Sequence, residues 1–486
     1  MGEDKTSLSR AETALLSVAA LLVLGAHAFG AFLAHTQPVY DHATGSWFVI
    51  AHDVLNGTLY RPFESDLGLG GTRYFPLYPL LIALFVKFGL GYEQAGLLIN
   101  LVSWALALGG AFTILRQLDV PRVLAGTFAV FSVGSFGTLM TMTSLRGDLL
   151  PVSLVLWGVV ASLKARSGGF TFLIAAAMLF TLALAAKVTS LFWPAAVVVY
   201  LAVTGRTRQA AILSSLLLVG AAIFLLAINH LSEGRFLEMM AVTSSGGGSL
   251  FRFLLGPVTF EGMLRGADPL AYLATVVSVF LLVARFRQLG SSLTGLMFIS
   301  VMVMTMAIFG SSGTIHNHLI DINFAAMLLL ATRFGDFRIK PNLAPLVIVF
   351  YALLIPWRYD YQYLRDWEHE ARIEAQNYLK SFDDPVLSEH PGIPLAIGRT
   401  PFLADAFMVN SLRQARPGVH ARLQAELEAK SFNTIILSHV GEMDWYENGH
   451  FGGRFMEWVE ENYERDRQFG PYVFFRPKRE SEQGSP

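Results

Sequence analysis

Long apolar runs joined by short basic connections fill the first 357 residues. The first, Ala14–Leu33, is about 20 residues, long enough to cross a bilayer. Further spanning runs are Gln94–Leu115, Val123–Met142, Leu149–Leu163, Phe170–Ala186, Thr189–Val203 and Gln209–Asn229. Leu270–Ala284, Leu293–Phe309, His318–Ala331 and Leu343–Trp357 follow, several of them near the lower length limit for a span. The pattern predicts about eleven transmembrane helices. Ala26-His-Ala28, after Lys5–Arg10, resembles a signal-peptide cleavage site, but the length of the run favours retention as the first helix.

Basic residues collect at alternate connections: Arg116 with Arg122, Lys164 with Arg166, Arg206 with Arg208, Arg285 with Arg287, and Arg333 with Arg338 and Lys340. The positive-inside rule puts these in the cytoplasm. Asp41–Pro76, Thr143–Asp148, the turn at Lys187, Ser232–Asp268, Ser311–Asn317 and the C-terminal region then face outward. Phe75–Phe88 is apolar but short and holds Pro76 and Pro79. If it spanned, the basic clusters would invert, so it is expected to be an interfacial or re-entrant helix on the outer face.

From Arg358 the pattern changes. Charges become frequent, and short apolar runs (Pro394–Ile397, Thr434–Leu437, Tyr472–Phe475) alternate with polar helical stretches such as Arg413–Lys430. This predicts three parts: a transmembrane domain over 1–357, a small extracytoplasmic α/β domain over 358–477, and a disordered tail over 478–486. No internal repeat of the kind seen in transporter halves is visible.

Composition agrees with the pattern. The chain is 53% hydrophobic and 15% charged, against about 25% charged in soluble proteins. A net charge of −1 argues against a nucleic-acid footprint. With no cysteine, disulfides, thiolate nucleophiles and Cys-ligated zinc are excluded.

The candidate chemistry lies in the outward loops. Asp41 stands a few residues past the first span beside Tyr40, His42, Trp47 and Phe48. It reads either as a solvated loop carboxylate or as a base in a low-dielectric interfacial site. Arg146-Gly-Asp148 offers a second carboxylate with a phosphate-gripping arginine, or a local ion pair with Asp148 capping a helix. Lys187 is a cation on the outer side of an apolar stretch; it either snorkels to the headgroups or binds a lipid phosphate as a point charge. Arg61, Arg73, Lys87, Arg235 and Arg252 add outer cations that together could surround an anionic leaving group. His316-Asn-His318 with Asp321 opens a late span. Helix-start hydrogen bonding or substrate hydroxyl contacts suit it better than a metal, although a divalent metal stays open as a cofactor. The Gly-rich Ser244–Ser249 lacks the preceding strand of a phosphate loop and reads as a flexible connection.

Together these pieces resemble the GT-C superfamily of membrane glycosyltransferases that use polyprenyl-phosphate sugars. Asp41 with Ala51, Leu55-Asn-Gly57, Leu59-Tyr60 and Tyr74-Phe-Pro-Leu77 is similar to polyprenyl-phosphate-mannose-dependent mannosyltransferases. Arg146-Gly-Asp148-Leu-Leu, Ala186-Lys-Val-Thr189 and Asn317-His-Leu-Ile-Asp321 resemble protein mannosyltransferases and aminoarabinose transferases. Pro385–Glu389 with Gly398-Arg399 resembles an appended outer α/β domain. The resemblance implies an all-α polytopic GT-C fold with interfacial helices in the outer loops. It also implies a polyprenyl-phosphate sugar donor and a glycan, lipid or protein acceptor. Many relatives carry paired acids in the first loop; here His42 follows Asp41, which leaves Asp41 the sole obvious base.

The expected reaction is an inverting single displacement at the outer face of a plasma membrane, without a nucleotide. Asp41 takes the acceptor proton, cations such as Arg146 and Lys187 hold the leaving phosphate, and His42, Arg61, Arg73, Arg252, His316, His318 and Asp321 join Asp148 around the substrates. The rival readings are a transporter or flippase for a lipid-linked or polar solute, which would place its charges near mid-membrane, and a non-catalytic scaffold binding cell-wall polymer.

Overall fold

The computed structural model describes residues 10–39, 42–245, 250–311, 314–334, 368–438, 440–442 and 444–479. Asp41, the run Leu343–Trp357 and most of the C-terminal tail lie outside the described residues.

Apolar runs become helices because, in hydrocarbon, the backbone must satisfy its own hydrogen bonds. Four helices are individually long and apolar enough to cross a membrane: α1 (Arg10–Thr36), and, further along, Tyr92–Gln117, the apolar part of Leu149–Gly168 and Thr207–Leu231. Between them lie α2 (His42–Leu55) and α3 (Leu77–Lys87), which pack on each other. Phe75–Phe88 thus holds one short helix that buries Tyr78, Pro79, Ile82 and Ala83. After these come α4 (Tyr92–Gln117), α5 (Arg122–Val133), α6 (Phe136–Thr143), α7 (Leu149–Gly168) and α8 (Phe170–Ala186). Next are α9 (Phe192–Val203), α10 (Thr207–Leu231), α11 (Arg235–Ser245) and α12 (Leu250–Ala267). The series continues through α13 (Pro269–Ala284), α14 (Phe286–Leu289), α15 (Leu293–Ile308) and α16 (Ile320–Arg333). Helices α7 and α8, and α4 and α7, are the most closely packed pairs.

One expected span is broken. Val123–Met142 forms α5 and α6, bent by 58° at Gly134-Ser135. The break is stabilised locally: Ser135 caps α6 by accepting from the Thr138 N–H at 3.2 Å, and the Asp268 carboxylate accepts from the Phe136 N–H at 2.7 Å. These acceptors satisfy N–H groups that a helix start leaves orphaned.

After α2 a two-residue antiparallel pair forms, β1 (Glu64–Ser65) and β2 (Gly68–Leu69), and the C-terminal residues build a four-stranded sheet in the order β3 (Val386–Ser388), β4 (Thr434–Leu437), β6 (Tyr472–Pro477), β5 (Tyr463–Phe469). β3 and β4 run parallel, the other pairs antiparallel. Two of the three short apolar runs are strands; Pro394–Ile397 falls on a helical turn, α18 (Gly392–Ala396), after α17 (His369–Leu379). The polar stretch Arg413–Lys430 breaks before Pro417 into α19 (Ala406–Ala415) and α20 (Pro417–Glu428), since proline suits the first turn of a new helix. This region does not keep its core to itself. Leu403, Met408, Val409 and Leu412 share an apolar cluster with Ile50, Tyr60, Phe63, Ile228 and Phe236.

Candidate active site

The turn between α6 and α7 is tightly held. Arg146 N–H donates to Thr141 O at 2.9 Å, Tyr78 Oη donates to Leu145 O at 2.6 Å, and Leu145 takes a positive φ of 54°. Gly147 lies against the face of Tyr78, where an added Cβ would come within 2.4 Å of the ring. This turn presents Arg146 and Asp148, both buried, at the start of α7.

Asp148 makes no side-chain cap to its own helix. Its Oδ1 accepts from Lys187 Nζ at 2.7 Å and from Asn317 Nδ2 at 2.8 Å. The local-pair reading, in which Asp148 would engage Arg146 or cap α7, therefore gives way to a pairing across the fold. Three motifs far apart in sequence meet at one carboxylate. Lys187 ends α8 with extended backbone before a short 3-10 turn at Val188–Leu191. Asn317 lies in a second such turn, His316–Leu319, ahead of α16.

Around this centre, His318 senses the charges of Lys187, Asp148, Arg73 and Arg146, and His316 that of Arg146. Asp321 accepts from Trp193 Nε1 at 2.8 Å and faces the fields of Lys187 and Asp148. Beside His318 and Asp321 a crevice runs between α9 and α15, walled by Phe192, Trp193, Val301, Met304 and Ile308. Thr189 and Thr305 add to its polar lining, and its volume is about 10 Å³. Among the described residues, no group of three His, Asp or Glu side chains is arranged to hold a metal ion.

Arg73 and His42 close the other side. Arg73 lies 3.8 Å from Asp405 Oδ2, its guanidinium 4.0 Å over the Phe407 ring and 5.5 Å from that of Tyr74. Burial, together with the charges of His450, Arg73, Arg146 and His390, holds His42 well below the usual histidine range, so the ring is neutral at pH 7. Burial pushes the Asp405 carboxyl up, opposed by Arg73 and His450. The phenol of Tyr74 is raised to about 12 by burial, against the pull of Arg73.

One expected member, Arg61, stands elsewhere. Arg61 turns inward: Nε and Nη2 grip Asp53 at 3.1 and 2.7 Å, and Nη1 donates to Pro401 O at 2.7 Å. At 2% exposure it is a buried strut tying α2 to the C-terminal region, not a cation of the site. A guanidinium in an apolar core needs a bidentate partner, and Asp53 supplies it. Arg252 sits exposed on the first turn of α12, whose backbone packs on Gly310 at the end of α15. Sequence reasoning missed Asn317 as an Asp148 partner, and also Asp405, Glu389, His390 and His450. Only the Ser388-Glu-His390 cluster directly after a strand gave a local hint.

Helices α7, α16 and α9 each have one end at this cluster and basic residues at or just past the other: Lys164 and Arg166 on α7, Arg333 on α16, and Arg206 just past α9.

No protein-family model matches the chain, and no curated protein matches it in sequence. Solved structures do match in three dimensions. ArnT from Cupriavidus metallidurans, bound to undecaprenyl phosphate, superposes with a TM-score of 0.62 at 12% identity over 94% of this chain and 97% of its own. The fold is that of the GT-C glycosyltransferases. The archaeal oligosaccharyltransferase AglB from Archaeoglobus fulgidus, in complex with an inhibitory peptide and a dolichol-phosphate, gives 0.56 at 11% identity over 97% of this chain and 74% of its own. The arabinofuranosyltransferase AftD from Mycobacteria gives 0.55 at 13% identity, with 99% of this chain covering 41% of that one. A GT-C fold with apolar helices of spanning length makes this an integral membrane protein.

Proposed function

We propose that this protein transfers a sugar from a polyprenyl monophosphate carrier to an acceptor hydroxyl at the outer face of the membrane. The observation that carries the reading is the buried Lys187–Asp148–Asn317 junction, with Arg146 two residues from Asp148 in the same turn and His318 within reach of the charges of Lys187, Arg146 and Arg73. That clustering of cations in an otherwise apolar helical bundle suits a lipid monophosphate, and the GT-C fold shared with an undecaprenyl-phosphate-bound ArnT supports it. The basic residues at the far helix ends support an outward-facing site under the positive-inside rule. The C-terminal sheet region then stands outside as well, as an appended α/β domain.

Lys187 and Arg146 receive the charge that develops on the leaving phosphate as the anomeric C–O bond breaks, with Arg73 close enough to share it. Asp148 fixes the ammonium of Lys187 in place and so acts through it. Asp41 takes the proton from the attacking hydroxyl. The chain on either side supports that role: Val39 N–H donates to Thr143 O at 3.0 Å, and the Thr44 hydroxyl donates to Ser144 O, so both flanks are tied to the turn that presents Arg146. A single displacement inverts the anomeric centre. The sugar arrives activated through the membrane, and a neutral His42 next to the acid suits acceptor hydroxyl binding.

The test uses the purified full chain in lipid nanodiscs with labelled polyprenyl-monophosphate sugars, reading release of the carrier. Wild type releases it. Asp41→Asn abolishes release while undecaprenyl phosphate still binds; wild-type turnover in that variant would end the proposal.

A further inference from the structure

The C-terminal region touches the first outer loop on both sides of residues 40 and 41. Upstream, the buried Arg372 of α17 donates to Pro38 O at 3.3 Å and lies 3.7 Å from Glu93 at the start of α4. Downstream, the His450 ring stands 4.7 Å from that of His42 in an edge-on arrangement, with Trp445 4.5 Å from His450 and 6.3 Å from His42.

His450 is itself held from behind. Glu389, fully buried and just past β3, accepts from His450 Nδ1 at 2.7 Å. It also accepts from Trp445 Nε1 at 2.7 Å, from Ser438 N–H and Oγ at 2.8 and 2.9 Å, and from Tyr446 Oη at 3.0 Å. A carboxylate with this many donors is a rigid anchor, because each bond fixes one angle of its plane. It fixes the His450 tautomer with Nδ1 protonated, turning Nε2 away from the anchor.

We propose that Arg372 and the Glu389–His450 pair are positioning residues that hold Pro38 and His42, the two described flanks of the acid-bearing segment, in place for transfer. This rests on the reading of Asp41 as the base. The clamp reaches the loop from α17, from the β3 exit and from the segment ahead of the helix Phe455–Asn462. Among the described residues, His42 also feels the charges of Arg73, Arg146 and His390. The clamp adjoins these groups, since His450 and Arg73 both act on Asp405 and His390 shares Ser438 with Glu389. A loop misplaced by about 1 Å can cost on the order of a hundredfold in rate, which is what a clamp of this kind prevents.

The experiment is hydrogen–deuterium exchange of the full chain in nanodiscs, comparing wild type with Arg372→Met, His450→Phe and Glu389→Gln. His450→Phe keeps the ring packing against His42 and Trp445 but loses the bond to Glu389. Amides of residues 38–47 are expected to exchange about tenfold faster in each variant, with β4 and β6 unchanged. Unchanged exchange at 38–47 in Arg372→Met and His450→Phe overturns the clamp. If Glu389→Gln loosens β4 and β6 as well, the other two variants decide. The readout needs no sugar, so the clamp and the transferase reading fail separately. Where wild type turns over, Arg372→Met and His450→Phe should each lose about ten- to a hundredfold in kcat with undecaprenyl phosphate affinity within about twofold. A fall in undecaprenyl phosphate affinity as large as the fall in kcat would overturn the positioning role.

Discussion

The Lys187–Asp148 pair places a cation where hydrocarbon would otherwise exclude it. Its side chains are 16% and 5% exposed, so neither charge is well solvated. Lys187→Met leaves Asp148 without its counter-ion and should destabilise the protein by about 3–5 kcal/mol. Lys187→Met with Asp148→Asn should recover most of that stability while undecaprenyl phosphate binding stays lost. Thermal unfolding with a binding isotherm reads both, and retained binding in the double variant would remove Lys187 from the phosphate site. Arg61→Met breaks a deeper pair and should cost a similar amount, yet spare turnover per folded molecule, because Arg61 faces Asp53 rather than the cluster. A third expectation concerns His42, which the fold holds below the 6.5 of an unperturbed histidine. Below pH 6.5 the unfolded chain binds a proton there that the folded chain does not, so stability rises with pH in this window and is lost as pH falls. His42→Asn should flatten the acid limb of the unfolding profile measured between pH 5 and 7; an unaltered limb would show that ionisation lies elsewhere.

At the scale of elements, the site is made from ends and breaks rather than from helix bodies. Asp148 starts α7, Lys187 closes α8, Asn317 and His318 occupy the 3-10 turn before α16, and Trp193 opens α9. Helix ends free side chains to turn into a cavity and leave backbone groups unpaired there. The α6–α7 turn depends on Gly147 lying flat on Tyr78. Gly147→Ala should push Tyr78 aside, break its bond to Leu145 O and displace Arg146. We expect loss of about 1–3 kcal/mol and a fall in kcat larger than any change in KM. If Gly147→Ala unfolds and turns over like wild type, the turn is more pliant than its contacts indicate.

For the whole molecule, the junction between α2 and the C-terminal region governs how the two halves share a core. Gly45 abuts the backbone of Gly392 and the ring of Pro391, at 2.7 and 3.2 Å from where a Cβ would stand. Backbone cannot give way as a flexible side chain does, so Gly45→Ala should pry α18 from α2. Limited proteolysis would then cut the C-terminal region faster in the variant than in wild type, and equal rates would show that the junction tolerates the methyl. Because Ile50, Tyr60 and Phe236 share an apolar cluster with Leu403 and Met408, that opening should lower cooperativity of unfolding across the chain.

The apolar runs and the placement of basic residues by themselves determined that the described runs before residue 335 are helical, which of their ends carry basic residues, and that Phe75–Phe88 holds a short packed helix. These depend on transfer free energy, which is summed locally along the chain. Short motifs also singled out Arg146, Asp148, Lys187, His318 and Asp321, since charge in an apolar context is conspicuous. Only the tertiary structure decided their partners: that Asp148 serves Lys187 and Asn317 rather than its own helix, that Arg61 is a strut, and that Val123–Met142 bends. It also brought Asp405, Glu389 and His450 beside a loop more than 300 residues earlier. A contact between distant segments leaves no periodic trace in either one, because it depends on how whole helices pack and not on the residues beside it in the chain.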